Sequence, residues 1–287
     1  MKKERIMQWF KKMLKLCPML VFTLLLAVVY LTYSGISALA SAVRESDRLA
    51  AVESMEEQRE SEQATEPVET LGPSGRKEFC KVDESYFDDA LFLGNSRIRL
   101  FGEYSPLGNA VFYGVDCLTV YDILEEDDEI AGYNGVMDLL QRGKFGKVYI
   151  AIGINECAYP TDSFMDHYQE LIDTIHYYQP DALIFVEDIM YVAKPKAEAE
   201  PVFETPIIDE KNERIAQLDN GIDVFYLPLN ELVDDGTGYM GAEFTGDNVH
   251  LDATHYHIWA DYLMEHGIVD SKHPANPGAQ NNPASGN

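Results

Sequence analysis

Positions 91–97 read LFLGNSR, a short apolar run that ends in Gly-x-Ser. The apolar part is too short for a helix and suits a strand that is buried on both faces. Because glycine tolerates tight turns, we expect Gly94 to expose the hydroxyl of Ser96 at the start of a following helix. A serine at this place is also a common helix cap, so the tripeptide alone leaves both roles open.

The same pattern of short apolar runs recurs along the chain, with amphipathic segments between the runs. The runs are residues 90–93, 110–113, 148–152, 183–186 and 224–227, and the main amphipathic segments are 133–142, 162–178, 205–218 and 254–266. Strands that alternate with helices indicate βαβ units and a parallel sheet. With right-handed crossovers, the sequence predicts a three-layer α/β sandwich of about five strands.

A histidine and a carboxylate near the end of this region complement Ser96. Asp247 lies three residues before His250 in the sequence DNVHL at positions 247–251. A serine needs an adjacent base to act as a nucleophile, and an imidazole titrates near neutrality. We therefore predict that Ser96 is the nucleophile, that His250 is its base, and that Asp247 fixes the tautomer of the ring.

Two further residues follow predicted strands and could stabilise an oxyanion. Gly114 comes after the second apolar run and Asn155 comes after the third. Active residues of parallel sheets lie at the carboxyl ends of strands, so we expect both to lie near Ser96. The backbone N–H groups of Ser96 and Gly114 and the side-chain amide of Asn155 are the predicted oxyanion donors. Read singly, each of the two is also an ordinary turn residue.

Residues 87–265 resemble the SGNH/GDSL hydrolase family, whose four sequence blocks contribute Ser, Gly, Asn and His. Here the blocks match at Ser96, Gly114, Asn155 and His250, in the order of the family. The resemblance implies a flavodoxin-like α/β/α sandwich, a Ser-His-Asp triad, and neither a metal nor a cofactor. Position 98 is Ile, so the Gly-x-Ser-x-Gly elbow of α/β-hydrolases is absent.

The chain departs from the family pattern at Asn95, where the family usually has aspartate. Because that aspartate is not a member of the triad, we expect activity to survive, at a reduced level. Arg97 and Arg99 follow the serine, and either they bind a substrate anion or they lie on a solvated helix face. The loop from Met190 to position 206 follows the fourth strand, and we expect it to form a wall or cover of the site.

The N-terminus differs from the rest of the chain. Six Lys and Arg residues lie within positions 2–15, and positions 16–43 carry no charge. A bilayer-spanning helix needs roughly 20 apolar residues, so residues 1–43 are predicted to be a cytoplasmic basic segment and a single transmembrane anchor. Small residues at positions 38–42 leave a cleaved signal peptide, and hence secretion, as the alternative. Either way, the remainder is expected outside the cell.

The rest of the chain divides by composition. Residues 44–78 are rich in Glu and are predicted to form a flexible stalk, residues 79–269 the hydrolase domain, and residues 270–287 a disordered tail. Beyond position 43 the chain has 16 basic residues against 48 acidic ones, a net charge of −32. Such a charge repels nucleic acids and anionic lipid surfaces, so neither is expected as a partner.

The remaining candidate chemistry gives little evidence for metal sites or disulfides. Asp252, His255 and His257 fit no common metal-site spacing. Cys80, Cys117 and Cys157 are an odd number, so one bridge is possible and its pair is left open.

Taken together, the residues predict an extracellular, membrane-tethered serine esterase that hydrolyses an O-acyl ester, O-acetyl in particular, on a carbohydrate or an envelope polymer. Three alternatives remain open, one of which is a structural envelope protein that only the stalk and the anchor suggest. An O-acyltransferase would use the same triad with a sugar hydroxyl in place of water. A non-catalytic binding module would keep the fold without the chemistry.

Overall fold

The computed structural model of the chain describes residues 75–277. The strands are β1 (Ala90–Gly94), β2 (Val111–Gly114), β3 (Glu129–Ile130), β4 (Tyr133–Asn134), β5 (Lys147–Ala151), β6 (Leu183–Glu187) and β7 (Val224–Leu227). The α-helices are α1 (Ser96–Tyr104), α2 (Gly135–Arg142), α3 (Thr161–Tyr178), α4 (Lys194–Ala199), α5 (Thr205–Ala216), α6 (Asn230–Val233) and α7 (Tyr256–Glu265). All five predicted strands and all four predicted helices are present, within a few residues of their expected ends.

Five of the strands form one parallel sheet in the order β2-β1-β5-β6-β7. In β1, β5 and β6 every residue is buried, as a sheet covered on both faces requires. Strands β3 and β4 form a separate two-stranded antiparallel ladder. The predicted parallel sheet of about five strands is therefore confirmed.

The two faces of the sheet have different cores. One face is largely aliphatic, with Leu91, Val148 and Ile184 packed in one cluster with side chains of α2, α3 and α5. The other face carries a row of aromatic rings, one from each strand, and packs in one cluster with side chains of α1 and α7. Because successive side chains of a strand point to opposite faces, one short apolar run contributes to both cores.

The aromatic row crosses the sheet at one level of the register. It consists of Phe112, Phe92, Tyr149, Phe185 and Phe225. Neighbouring ring centroids are 4.8, 4.6, 4.5 and 5.6 Å apart along the row. Such ring pairs add about 0.5–1.5 kcal/mol each beyond their area burial. These ring contacts link all five strands across that face of the sheet.

Some residues outside the predicted domain bounds of 79–269 belong to the folded part. The backbone N–H of Lys77 donates to Gly221 O at 2.8 Å, and its Nζ contacts Asp270 Oδ2 at 2.6 Å. His273 is 4% exposed, and its Nε2 is 2.6 Å from Asp181 O. The described part of the domain therefore extends on both sides of the predicted bounds.

The predicted membrane anchor at residues 1–43 and nearly all of the stalk at 44–78 lie outside the described residues, as does the tail beyond position 277. Within residues 75–277, we find no helix with the length and apolar character that crossing a bilayer requires.

Candidate active site

The nucleophile candidate lies at the junction of β1 and α1. A side chain at Gly94 would place its Cβ 2.2 Å from Ala151 O and 2.7 Å from Ile98 Cγ1. Glycine is therefore required here by close packing against β5 and α1. Asn95 then caps α1, since its side-chain oxygen accepts from the N–H of Arg97 at 3.0 Å. Together these two residues start the helix at Ser96.

Ser96, His250 and Asp247 form one hydrogen-bonded line. His250 Nδ1 is 2.7 Å from Asp247 Oδ2, and His250 Nε2 is 2.9 Å from Ser96 Oγ. With the ring proton on Nδ1 directed at the carboxylate, Nε2 accepts the serine hydroxyl. Ser96 and His250 are 154 positions apart in the sequence, yet their side chains lie within proton-transfer reach of each other. Asp247 completes the predicted set of three.

Asp247 builds the turn that carries the histidine. Its Oδ1 accepts the backbone N–H groups of Val249 and His250, each at 2.8 Å, while Asn248 between them adopts a φ of 69°. Left-handed backbone is tolerated by asparagine better than by most residues. Burial opposes ionisation of this carboxyl, but the N–H groups of His250 and Val249 and the ring of His250 hold the pKa of Asp247 well below its usual value. Asp247 is therefore charged and oriented toward the ring at neutral pH.

Gly114 is the last residue of β2, and Asn155 lies shortly after β5, so the two residues lie at the carboxyl ends of the strands that flank β1. Gly114 pairs in register with Gly94, and a Cβ at Gly114 would lie 2.2 Å from the backbone nitrogen of Arg99. The first turn of α1 therefore packs directly on this glycine. The N–H of Ser96 is one of the first four of the helix, which lack partners within the helix. Both predicted backbone donors thus belong to the same tightly packed corner.

Asn155 lies in a 3-10 turn after β5 and is exposed. Its Nδ2 donates to Leu118 O at 2.9 Å, which uses one of the two amide hydrogens and orients the side chain. The neighbouring Glu156 is fully buried, and its Oε1 accepts the N–H of Val120. These two contacts attach the Asn155 turn to the loop after β2. The sequence predicted no role for Glu156, because the identity of one acidic residue does not indicate whether its side chain is buried.

Both predictions for Arg97 are wrong, whereas Arg99 is on the solvated face. Arg97 is 6% exposed and donates to three backbone carbonyls, so it neither faces solvent nor is free to hold a substrate anion. Arg99 is exposed and contacts Asp116 Oδ1 at 2.7 Å. The difference arises because successive positions at the start of a helix face different sides, and position 97 faces the loops after β6 and before His250.

Other candidates are placed as follows. The described cysteines, Cys80, Cys117 and Cys157, are all free thiols. Three carboxylate oxygens, from Glu126, Asp127 and Asp128, lie within 4.8 Å of one another before β3, in a largely exposed loop. The loop expected to cover the site contains α4, and the N–H of Ala193 donates to Asn248 O at 2.9 Å, which places this loop against the histidine turn.

Comparison with models of known families and with curated protein sequences found no match for the chain. Among solved structures, a Streptococcus pneumonia protein provisionally described as a platelet activating factor is similar, with a TM-score of 0.51 and 19% identity, over 63% of this chain and 87% of that one. A protein of Bacteroides fragilis provisionally described as an acylhydrolase gives a TM-score of 0.47 at 18% identity, over 61% and 82% of the two chains. A GDSL-like lipase from Bacteroides thetaiotaomicron gives 0.47 at 17% identity, over 62% and 84%.

At such identities a structural likeness is informative about fold, and function has to be argued from the site. The described part of the chain therefore shares an α/β fold with the Streptococcus pneumonia protein, and the likeness extends to the fold alone.

Proposed function

We propose that this chain is a serine ester hydrolase that removes an O-acyl group, O-acetyl in particular, from a carbohydrate or an envelope polymer. The observation that carries the proposal is the line from Ser96 Oγ through the His250 ring to Asp247, with separations of 2.9 and 2.7 Å. A hydroxyl, an imidazole and a charged carboxylate in this order are the parts that acyl transfer requires.

In the proposed reaction, Ser96 Oγ attacks the ester carbonyl while its proton passes to His250 Nε2. The protonated ring, stabilised by Asp247, then gives that proton to the departing alcohol. Water attacks the resulting acyl-serine while the ring takes a proton from it, and the ring then returns that proton to Ser96 Oγ as the acid is released. Asp247 stays ionised throughout, because its hydrogen bonds to two backbone N–H groups hold its pKa low.

The oxyanion of each tetrahedral intermediate would be held by the N–H groups of Ser96 and Gly114 and by the free amide hydrogen of Asn155. The ends of β2 and β5 flank the end of β1, so these donors approach from both sides of the nucleophile. Loss of one such donor costs about 2.7–4 kcal/mol in a well-studied protease. Asn95 is consistent with activity, since its neutral side chain caps α1 through its oxygen.

The substrate class is argued from charge and location. A net charge of −32 beyond position 43 disfavours anionic lipid surfaces and nucleic acids, and favours a neutral or cationic ester. The predicted anchor would hold the domain at the outer face of the membrane, where acetylated polymers of the envelope are accessible. Cleavage of the N-terminal segment would release the same enzyme.

The test uses the full chain and a fluorophosphonate probe that reacts with activated serines. Wild-type protein should be labelled, Ser96→Ala should not be, and Ser85→Ala should be labelled like the wild type. Ser85 is a matched control because its Oγ contacts the Asp83 carboxylate at 2.5 Å in an exposed turn of the same domain. An unlabelled wild type would contradict the proposal and favour a binding module.

Substrate assays then separate the hydrolase from the transferase. Acetylated sugars and short p-nitrophenyl esters should release acetate in water, at the same rate with and without an added sugar acceptor. Acetate release that depends on the acceptor, with acetyl appearing on it, would instead identify an O-acyltransferase.

A further inference from the structure

Arg97 is a buried cation in the first turn of the helix that begins with Ser96. Its side chain is 6% exposed, although arginine is rarely buried without a partner. Within residues 75–277, no carboxylate lies within ion-pair distance of its guanidinium. Burial lowers the pKa of Arg97 to about 10, so the group remains charged at neutral pH. A charge held in this way needs other groups to replace its hydration.

Backbone carbonyls of two separate loops accept hydrogen bonds from Nη1 and Nη2, while Nε is buried without a hydrogen-bond partner among the described residues. Arg97 Nη1 donates to Met190 O at 2.5 Å, and Nη2 donates to Tyr191 O at 3.2 Å, both in the loop after β6. Nη2 also donates to Val249 O at 2.9 Å, in the turn before His250. The planar guanidinium, with donors in a fixed fork, is suited to joining acceptors from different directions.

These contacts link three segments, each to the other two, near Ser96 and His250. The first segment is the start of α1 with Ser96, the second is the turn with Val249 and His250, and the third is the loop with Met190 and Tyr191. Arg97 joins the first segment to the other two, and the N–H of Ala193 joins the third to the second through Asn248 O. We call this set of hydrogen bonds the clamp. Ser96 is one residue from Arg97, and His250 is one residue from Val249, so both catalytic candidates lie next to a residue of the clamp.

The bond between His250 and Asp247 does not depend on this clamp. Asp247 holds the N–H groups of Val249 and His250 within a single turn, and its Oδ2 reaches the ring from there. Removal of Arg97 would leave that turn its own hydrogen bonds. The separation that the clamp controls is the one between the histidine turn and α1.

We propose that Arg97 is a positioning residue that fixes the distance from Ser96 Oγ to His250 Nε2 by tying the nucleophile helix to the histidine turn. The inference rests on the proposed ester hydrolase function. It assigns to a residue beside the nucleophile a role that requires no contact with the substrate. A displacement of about 1 Å in such a pair lowers the rate of reaction by about 100-fold.

The test compares Arg97→Met with Arg99→Met in the full chain. Arg99 lies two positions further along α1, is exposed, and loses the same charge and shape on substitution. For p-nitrophenyl acetate, Arg97→Met should lower kcat by about 100-fold with little change in KM, while Arg99→Met should keep the wild-type values. The rate of fluorophosphonate labelling should follow kcat.

A second measurement separates positioning from loss of structure. The ring proton shared by His250 and Asp247 should give a low-field proton NMR signal, which Arg97→Met should retain because the Asp247 turn is intact. Arg97→Lys keeps the charge but lacks the fork, so its kcat should lie between those of Arg97→Met and the wild type. If Arg97→Met does not fold, the lysine variant carries the same comparison.

Each outcome decides the inference. Wild-type kcat in Arg97→Met would overturn it, and so would joint loss of kcat and of the low-field signal in proportion to the unfolded fraction. In either case the labelled wild type would leave the ester hydrolase proposal standing. An unlabelled wild type would overturn both.

Discussion

The two ends of the sheet bury charge in different ways. At the amino end, Lys147 is fully buried at the start of β5, pairs with Asp89 next to β1, and lies 4.2 Å from the ring centroid of Tyr86. At the carboxyl end, Arg97 is almost as buried but is surrounded by carbonyls. The first cation is neutralised by an acid, while the second keeps its charge among backbone dipoles.

This difference separates stability from chemistry. A buried cation with an acid and an aromatic ring forms a closed unit that faces no reacting group. The carboxyl end keeps its polar groups partly open, since the side chains of His250 and Asp247 are 25% and 57% exposed. We expect substitutions of the partly exposed triad side chains at the carboxyl end to change activity with little effect on folding, and substitution of Lys147 at the amino end to do the reverse.

Asp247→Asn should have the largest effect on activity. The amide oxygen can still accept from Val249 and His250, but the amide nitrogen would face His250 Nδ1 and favour the wrong ring tautomer. By analogy with a protease triad, kcat should fall on the order of 10³–10⁴-fold. Steady-state ester hydrolysis measures this, with the exposed Asp252→Asn as the control at wild-type activity. A fall of similar size in Asp252→Asn would contradict the assigned role.

Asn155→Ala should have the next largest effect. It removes the predicted side-chain donor to the oxyanion, so kcat should fall on the order of 10²–10³-fold while KM changes little. The matched control is Asn109→Ala at the opposite end of the sheet, where an exposed asparagine donates to Asp88 Oδ1 at 2.9 Å. Equal activity of the two variants would exclude Asn155 from the oxyanion site.

Lys147→Met tests the other end of the sheet. Removing one partner of a buried ion pair is costly, but Asp89 is 28% exposed and can regain water, so the loss of unfolding free energy should be about 2 kcal/mol. Urea unfolding measures the loss, and the exposed Lys144→Met should show none. The kcat per folded molecule should stay at the wild-type value. A fall in kcat with unchanged stability would break the proposed separation between the two ends.

The sequence predicted elements whose signals are local. Short apolar runs marked the strands, and the spacing of apolar residues marked helices such as α3 (Thr161–Tyr178). Lys147 was omitted from its strand because a charge normally ends a buried run. Its burial depends on Asp89 and Tyr86, which come from a distant segment. Tertiary contacts that stabilise a buried charge in this way cannot be read from the residues of the strand itself.

The candidate site shows the same division. The triad could be predicted from sequence because the residue types themselves carry the chemistry, and because the motifs around them occur in a recognisable order along the chain. Its members are Ser96, Asp247 and His250. The role of Arg97 could not be predicted, because its partners are backbone carbonyls, which every residue possesses. Glu156 was missed for a related reason, since its acceptor contact is to the N–H of Val120 in another loop.

Glu156→Gln should change the free energy of unfolding by an amount that depends on pH. Burial raises the pKa of Glu156 to about 7, although the hydrogen bond from the N–H of Val120 lowers it in part. Between its ordinary value of 4.5 and about 7, the folded chain holds a proton that the unfolded chain has lost, so this group lowers stability as pH rises through that window.

At pH 8 the glutamine variant, which cannot ionise, should be the more stable by on the order of 2 kcal/mol. At pH 4 that advantage should disappear, because the wild-type carboxyl is protonated in both states. Urea unfolding at the two pH values measures the difference, with the exposed Glu125→Gln as the control. An equal difference at both values would mean that the pKa of Glu156 is not raised in the folded chain, which would contradict the assigned effect of burial.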